Sequence, residues 1–481
     1  MSKPVSVRWA LTGLSLSMLM PSLDTSIANV ALPTLAHAYT ASFQDVQWIV
    51  LAYLLAITTL IVSVGRLGDL AGRRRMLMAG IFLFTLSSAL CGVAPTLPLL
   101  IAARAAQGLG AAIMMALTMA FVAETVPKGK TGSAMGLLGS MSAMGTALGP
   151  SLGGGLIAAL GWPALFLVNV PLGLLALFLA YRYLPVDRQE PTGEQASFDV
   201  MGTLSLALTL AAYALAMTVH QDDGHGSFGP LNMGLLLAAG CGALLFVVAE
   251  TKAASPLIRL AMFRNPVLGA GFAMSALVTT VVMATLVVGP FYLSGALGLD
   301  AARVGLVMSS GPIVAALIGV PGGRIVDRFG AHRIGVVGLI AMAVGSAILP
   351  MLPTSFGVPG YIGPLVLITA GYALFQAANN TAVMTNIGAD QRGVIAGMLN
   401  LSRNLGLVTG ASFMGTVFAL GSGTTDILTA HPAHVAAGMR FTFAVAVALI
   451  VVALAIALAS RIRARRAVPA DRVREDGRAP G

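Results

Sequence analysis

The sequence predicts an all-α polytopic membrane protein of fourteen spanning helices, two bundles of six with two extra helices between them. Three observations carry that class: the composition, the length of the apolar runs, and a short charged stretch that occurs twice. Of 481 residues, 57% are hydrophobic and 10% charged, against roughly 25% charged in soluble domains. Apolar runs repeatedly exceed the ~20 residues needed to cross a bilayer, and no short alternating segments of a β-barrel stand out. The repeated stretch is Gly65-Arg66-Leu67-Gly68-Asp69-Leu70-Ala71-Gly72-Arg73-Arg74-Arg75 and, 258 residues on, Gly323-Arg324-Ile325-Val326-Asp327-Arg328-Phe329-Gly330. In each copy an aspartate follows the first glycine by four and a glycine follows by seven. Glycine at such points lets the chain turn tightly between two helix ends. Two copies in register imply two related halves.

Taken in order, the expected spans are 9–32, 46–66, 75–94, 97–125, 131–158, 162–183, 199–219, 230–250, 266–292, 303–323, 334–353, 358–383, 393–418 and 438–460. The first is read as a retained helix and not a cleaved leader, since it is too long for a signal h-region and contains Pro21 and Asp24. Lysines and arginines set the orientation. With the N-terminus inside, inner segments hold twenty-four of them and outer segments only Arg303 and Arg440, so both termini are expected in the cytoplasm. The repeat offset is too long for six spans alone, and spans 199–219 and 230–250 account for the excess. The expected organisation is therefore a six-helix bundle over 1–184, a linker with two extra helices over 185–265, a second bundle over 266–460, and a disordered basic tail over 461–481 lying against anionic lipid.

Composition also excludes functions. The net charge of +10 sits in short breaks between apolar runs, so it is no nucleic-acid face. Gly129-Lys130-Thr131 ends like a phosphate-binding loop, but Glu124 stands where that loop needs glycine, so ATP is not an expected partner. His431 and His434 lack further ligands for a metal. Cys91 and Cys241 lie in apolar runs and form no disulfide framework. No catalytic constellation suggests an enzyme.

Four stretches carry a family resemblance over nearly the whole chain. They are Leu23-Asp24-Thr25-Ser26-Ile27-Ala28-Asn29-Val30-Ala31-Leu32-Pro33 in the first span, the loop Gly65–Arg75, Arg104-Ala105-Ala106-Gln107-Gly108-Leu109-Gly110 in the fourth, and Gly145-Thr146-Ala147-Leu148-Gly149-Pro150-Ser151-Leu152-Gly153-Gly154 in the fifth. In this order the chain resembles the fourteen-span drug–proton antiporter branch of the major facilitator superfamily. The resemblance implies the major facilitator fold, alternating access to a central site, a proton gradient in place of any cofactor, and export of small amphipathic molecules from the cytoplasmic membrane. Cationic drugs or antibiotics are the expected cargo, with one specific metabolite or self-made antibiotic as the alternative and a non-transporting sensor or channel as the other class.

Asp24 lies eight residues from the outer end of its span and Arg104 seven from the outer end of the fourth, roughly 12 Å and 10 Å deep. A carboxylate at that depth is costly unless it is protonated, paired or in water. The family fold would bring the two together. Two readings stay open: a static ion pair fastening two helices, or a proton site whose charge is opposed by desolvation and favoured by Arg104.

The resemblance makes Gly65, Asp69, Gly72, Arg73 and Arg74 a cytoplasmic latch, with Asp69 facing a helix N-terminus near Ile334, Arg73 paired with Glu124, and Asp327 as the second-half copy. Gly145, Gly149, Pro150, Gly153 and Gly154 form the antiporter motif, read either as close helix packing or as a seal against leak. Asn29, Tyr53, Gln107, Phe291, Gln376, Asn379 and Arg403 are the candidates for the cargo cavity, with Trp48 and Tyr292 as interfacial anchors. Beyond Asp24 no second deep acid is evident, since Glu250 and Asp300 lie at span ends, and this favours monovalent or neutral cargo over divalent.

Overall fold

The computed structural model describes residues 7–61, 63–125, 131–185, 200–219, 229–252, 265–384, 392–423 and 430–466. These residues are helical between short turns. In chain order the α-helices are α1 (Val7–Tyr39), α2 (Phe43–Leu60), α3 (Val64–Ala71), α4 (Arg73–Gly92), α5 (Leu97–Thr125), α6 (Thr131–Leu160), α7 (Ala164–Leu167), α8 (Asn169–Tyr183), α9 (Val200–Thr218), α10 (Pro230–Lys252), α11 (Pro266–Gly295), α12 (Ala301–Phe329), α13 (Ala331–Met351), α14 (Gly357–Met384), α15 (Arg392–Thr409), α16 (Gly415–Ser422) and α17 (Pro432–Arg466).

Twelve segments among the described residues are long and apolar enough to cross a membrane. Fourteen were expected. Outside the twelve are α1, which carries Asp24, Asn29 and several serines and threonines, and α6, which enters only with its apolar part Met144–Leu160. Local chemistry explains the ends. Ser42 caps α2 in a reciprocal box with Asp45. Asn265 caps α11 ahead of Pro266, and Asp300 caps α12 by accepting from Arg303 N at 2.8 Å.

Several boundaries depart from the expectation. The second span stops at Leu60, and the glycine-rich stretch forms the separate short α3. The sixth breaks at Val168, because Pro171 in the first turn of α8 has no N–H to continue the ladder. A π-turn at Gly410–Met414 interrupts the thirteenth. The last helix runs on through Arg466, so residues 461–466 belong to α17 and not to a disordered tail; 467–481 lie outside the described residues.

The repeat seen in the sequence is also a repeat of backbone. Gly72 joins α3 to α4 at φ 90°, ψ 123°, and Gly330 joins α12 to α13 at φ 87°, ψ 140°. Side chains rarely adopt such angles, and glycine does so freely. Around these turns α1 packs on α5, α6 and α8, and α4 on α5 and α8. Equivalently, α11 packs on α15 and α17, and α13 on α14 and α17. The two groups meet through α6 on α12, α1 on α11, and α2 on α15.

This seam is closed at the far end, opposite the N-terminus of α1. There the Phe43 ring meets Phe291 edge-on at 4.6 Å and Phe418 at 5.5 Å. Helix α9 lies along the seam and bonds both sides. Thr218 accepts from Trp48 Nε1 at 3.0 Å, Thr203 pairs with Ser63 at 3.0 Å, and the Met217 carbonyl accepts from Thr416. Trp48 is thereby tied to α9. Helix α10 packs on α9 and leaves most of its surface exposed.

Candidate functional site

Five helices converge on Asp24. Its carboxylate is 1% exposed, and Arg104, Gln107 and Asn169 are fully buried around it. Arg104 Nη1 donates to Asp24 Oδ2 and, at 2.6 Å, to Gln107 Oε1. Gln107 Nε2 donates to Asp24 Oδ1 at 2.9 Å and to Ser88 Oγ at 2.7 Å, while Asn169 Nδ2 reaches the same Asp24 oxygen at 2.8 Å. Arg104 Nε donates to the Ile49 carbonyl at 3.0 Å, and its guanidinium carbon lies 4.2 Å from the centre of the Tyr53 ring. A cation over a buried aromatic face is stabilised by the ring quadrupole. Arg104 Nη2 keeps no partner.

The residues on α1, α4, α5 and α8 arrive at one point for simple reasons. Helical spacing of three puts Arg104 and Gln107 on one face of α5, and both lie opposite Asp24. Asn169 opens α8 just past the break at Val168, which aims its amide inward. Chemically, the arrangement is one carboxylate held by an arginine and two amides in a water-poor interior. A single proton would remove its charge and leave Arg104 without a counter-ion.

Four candidates for the cargo cavity are placed elsewhere in this structure. Gln107 belongs to the Asp24 network. Tyr53 is buried beneath Arg104, with its hydroxyl donating to the Pro21 carbonyl at 3.2 Å. Asn29 is buried and donates to the Thr25 carbonyl at 2.8 Å. Phe291 closes the far end against Phe43. Asn379 donates to the Gly271 carbonyl at 3.1 Å and borders an open pocket of about 240 Å³ lined by residues of α11, α13, α14 and α17. Gln376 and Arg403 are half-buried.

The fifth-span glycines seat neighbours on both sides of α6. A methyl group on Gly145 would lie 2.5 Å from the Leu19 carbonyl oxygen of α1, and one on Gly149 would overlap Ser26. Gly153 faces Ile27 with ordinary clearance. Gly154 turns to the other half: a methyl there would lie 2.5 Å from the Ala301 carbonyl oxygen of α12, and Gly305 presses on the carbonyl of Pro150. The motif thus joins α1 to α6 and α6 to α12.

Of the latch residues, Arg74 donates to the Tyr181 carbonyl of α8 and lies 5.6 Å from the Tyr181 ring, a contact within its own half. Asp327 is exposed on the last turn of α12. The side chains of Asp69 and Glu124 lie outside the described residues, as does Gly65 beyond its place in α3. The expected contacts of Asp69 with the next half and of Arg73 with Glu124 therefore fall there too.

Sequence reasoning missed Asn169, Ser88 and the Ile49 carbonyl. Asn169 carried a usable signal, being a lone amide inside an apolar run. Ser88 did not, because serines are common in these helices. The carbonyl carries no sequence signal at all.

A polytopic helical bundle of two related halves that meet at an aromatic contact at one end, with a buried acid–base network inside the first half, defines a membrane transport protein of the carrier class. Residues 14–411 match the Major Facilitator Superfamily, and the chain belongs to it. The multidrug resistance protein Stp of Mycobacterium tuberculosis is 32% identical over 85% of this chain and 75% of its own length. The riboflavin transporter RibZ of Clostridioides difficile is 30% identical over 84% and 86%. Among solved structures, a bacterial homologue of the human lysosomal transporter Spinster superposes with a TM-score of 0.68 at 17% identity, over 96% of this chain and 98% of that one. That likeness concerns the fold alone.

Proposed function

We propose that this protein is a proton-coupled antiporter that exports amphipathic small molecules across the cytoplasmic membrane by alternating access. The observation that supports it most is the Asp24 carboxylate, fully enclosed by Arg104, Gln107 and Asn169. Protonation of Asp24 from outside would release Arg104 from its counter-charge, and deprotonation inside would restore the pair. A buried pair whose partner is removed is destabilised by several kcal/mol, ample to tip a two-state balance.

In this reading α1 and α6 join the twelve apolar segments as membrane spans, making fourteen, with both termini cytoplasmic by the distribution of lysine and arginine. The proton gradient supplies the energy, without cofactor or ATP. Gly65–Arg75 and the Asp327 copy act as a cytoplasmic latch that shifts the balance between states. Cationic cargo would need an acid free to receive it, and Arg104 already occupies Asp24; the cargo's charge class must come from other residues. A second reading, export of one specific compound, draws support from the relative named for riboflavin.

The test is export of a fluorescent dye from liposomes holding the full chain, with and without a pH difference. Asp24→Asn should lower proton-driven export at least tenfold, and wild type should lose it when an ionophore collapses the gradient. Undiminished export in either case would overturn the proposal.

A further inference from the structure

Helix α15 has three faces, and two are occupied. On the first, Leu399 and Ser402 are buried, and Gly406 abuts the Ala276 carbonyl and Thr279 of α11. On the second, Leu401 and Leu405 join the apolar cluster that also holds Leu206 and Leu210 of α9 and Leu55 of α2, the helix that meets α15 from the first half. The third face carries Asn400, exposed, with Arg403 and Asn404, both half-buried, one helical turn apart. Arg403 is the eleventh residue past Arg392, the first of α15, so about 16 Å along the axis at 1.5 Å per residue. A cation and two amides at that depth are too costly against lipid tails. Their face therefore opens on the space between the two halves.

Arg403 has no counter-ion. Among the described residues no carboxylate stands within ion-pair distance, and its Nε is buried with no hydrogen-bond acceptor. On neighbouring α14, Gln376 Oε1 is likewise buried and unbonded. The other deep arginine, Arg104, has its counter-ion in Asp24. The central space thus presents a free guanidinium flanked by amides, with the deep acid of the first half already paired. A planar fork of donors with no internal acceptor matches a carboxylate or phosphate oxygen pair.

We infer that Arg403 is the anchor for an anionic oxygen group on the cargo, a carboxylate, phosphate or phenolate attached to an apolar body, with Asn400 and Asn404 supplying further hydrogen bonds. This rests on the transport reading above and deepens it: the cargo is an amphipathic acid.

Two dyes on one xanthene skeleton test it, anionic fluorescein and cationic rhodamine 123. Their equilibrium binding to the full-length protein is measured in maltoside micelles without any gradient, so coupling plays no part. Wild type should bind fluorescein more tightly than rhodamine 123. Arg403→Gln should weaken fluorescein by about tenfold or more, the scale of one charge-assisted hydrogen bond, with rhodamine 123 unchanged, and Arg403→Lys should restore part of the loss. Wild type binding fluorescein no more tightly than rhodamine 123 overturns the inference without recourse to any variant. So does displacement of fluorescein by phosphatidylglycerol added to the micelles, which would assign the site to a lipid headgroup. Selective fluorescein binding together with gradient-independent export would instead overturn the antiporter reading alone.

Discussion

Asn169 and Gln107 donate to the same oxygen of Asp24, from 2.8 Å and 2.9 Å. One comes from the start of α8 and the other from the middle of α5, so a single carboxylate oxygen ties two helices to α1. The remaining oxygen belongs to Arg104. Both amides are fully buried.

Removal of one of these donors should be felt in stability and in coupling together. Asn169→Leu strips a buried hydrogen bond to a charged group, a loss of about 1.5–3 kcal/mol. The thermal midpoint of the purified protein should fall, and proton-driven export should fall with it. An unchanged midpoint would mean that the amide is dispensable.

At the seam, Gly154 allows the backbone of α12 to lie against α6. Gly154→Val is expected to hold α6 and α12 apart at the far end, reducing export about tenfold or more, because overpacking of this kind costs about 1–3 kcal/mol. A pH-sensitive dye trapped in liposomes reads whether protons leak. Normal export with a tight membrane would refute the packing account. Gly153, which faces Ile27 at 3.5 Å, serves as the control, and Gly153→Ala should be mild.

The two positive-φ turns make a paired prediction. Gly72→Ala and Gly330→Ala should each cost about 1–3 kcal/mol, the range for a side chain forced into a sparsely populated backbone region. The losses should be similar, since the backbone angles are similar, although the second copy has Ala331 and His332 where the first has arginines. A large loss at one site with none at the other, read by thermal unfolding of the purified variants, would show that the turns are not equivalent.

The helical class, the twofold repeat and the acid–base pair were legible in the sequence, because each depends on local spacing or on a residue type costly inside a membrane. Asp24 and Arg104 could be set at matching depth by counting residues. Tyr53, Gln107 and Asn29 could not be told apart from cavity residues by the same count, since depth leaves rotation about the helix axis unspecified. Their burial follows from which neighbour each helix face meets. Trp48 illustrates the same limit: a tryptophan near a span end reads as an interfacial anchor, and here Thr218 of α9 claims its N–H.

What the sequence determined by itself was therefore one-dimensional: which stretches are apolar enough to leave water, where charge interrupts them, and where glycine permits a turn. Only the packing of helices in three dimensions decided which polar side chains satisfy one another and which face open space. Asn169 joined Asp24, and Arg403 was left without a partner, because hydrogen bonds between distant helices depend on azimuth and contact, and the order of residues along the chain does not encode either one locally.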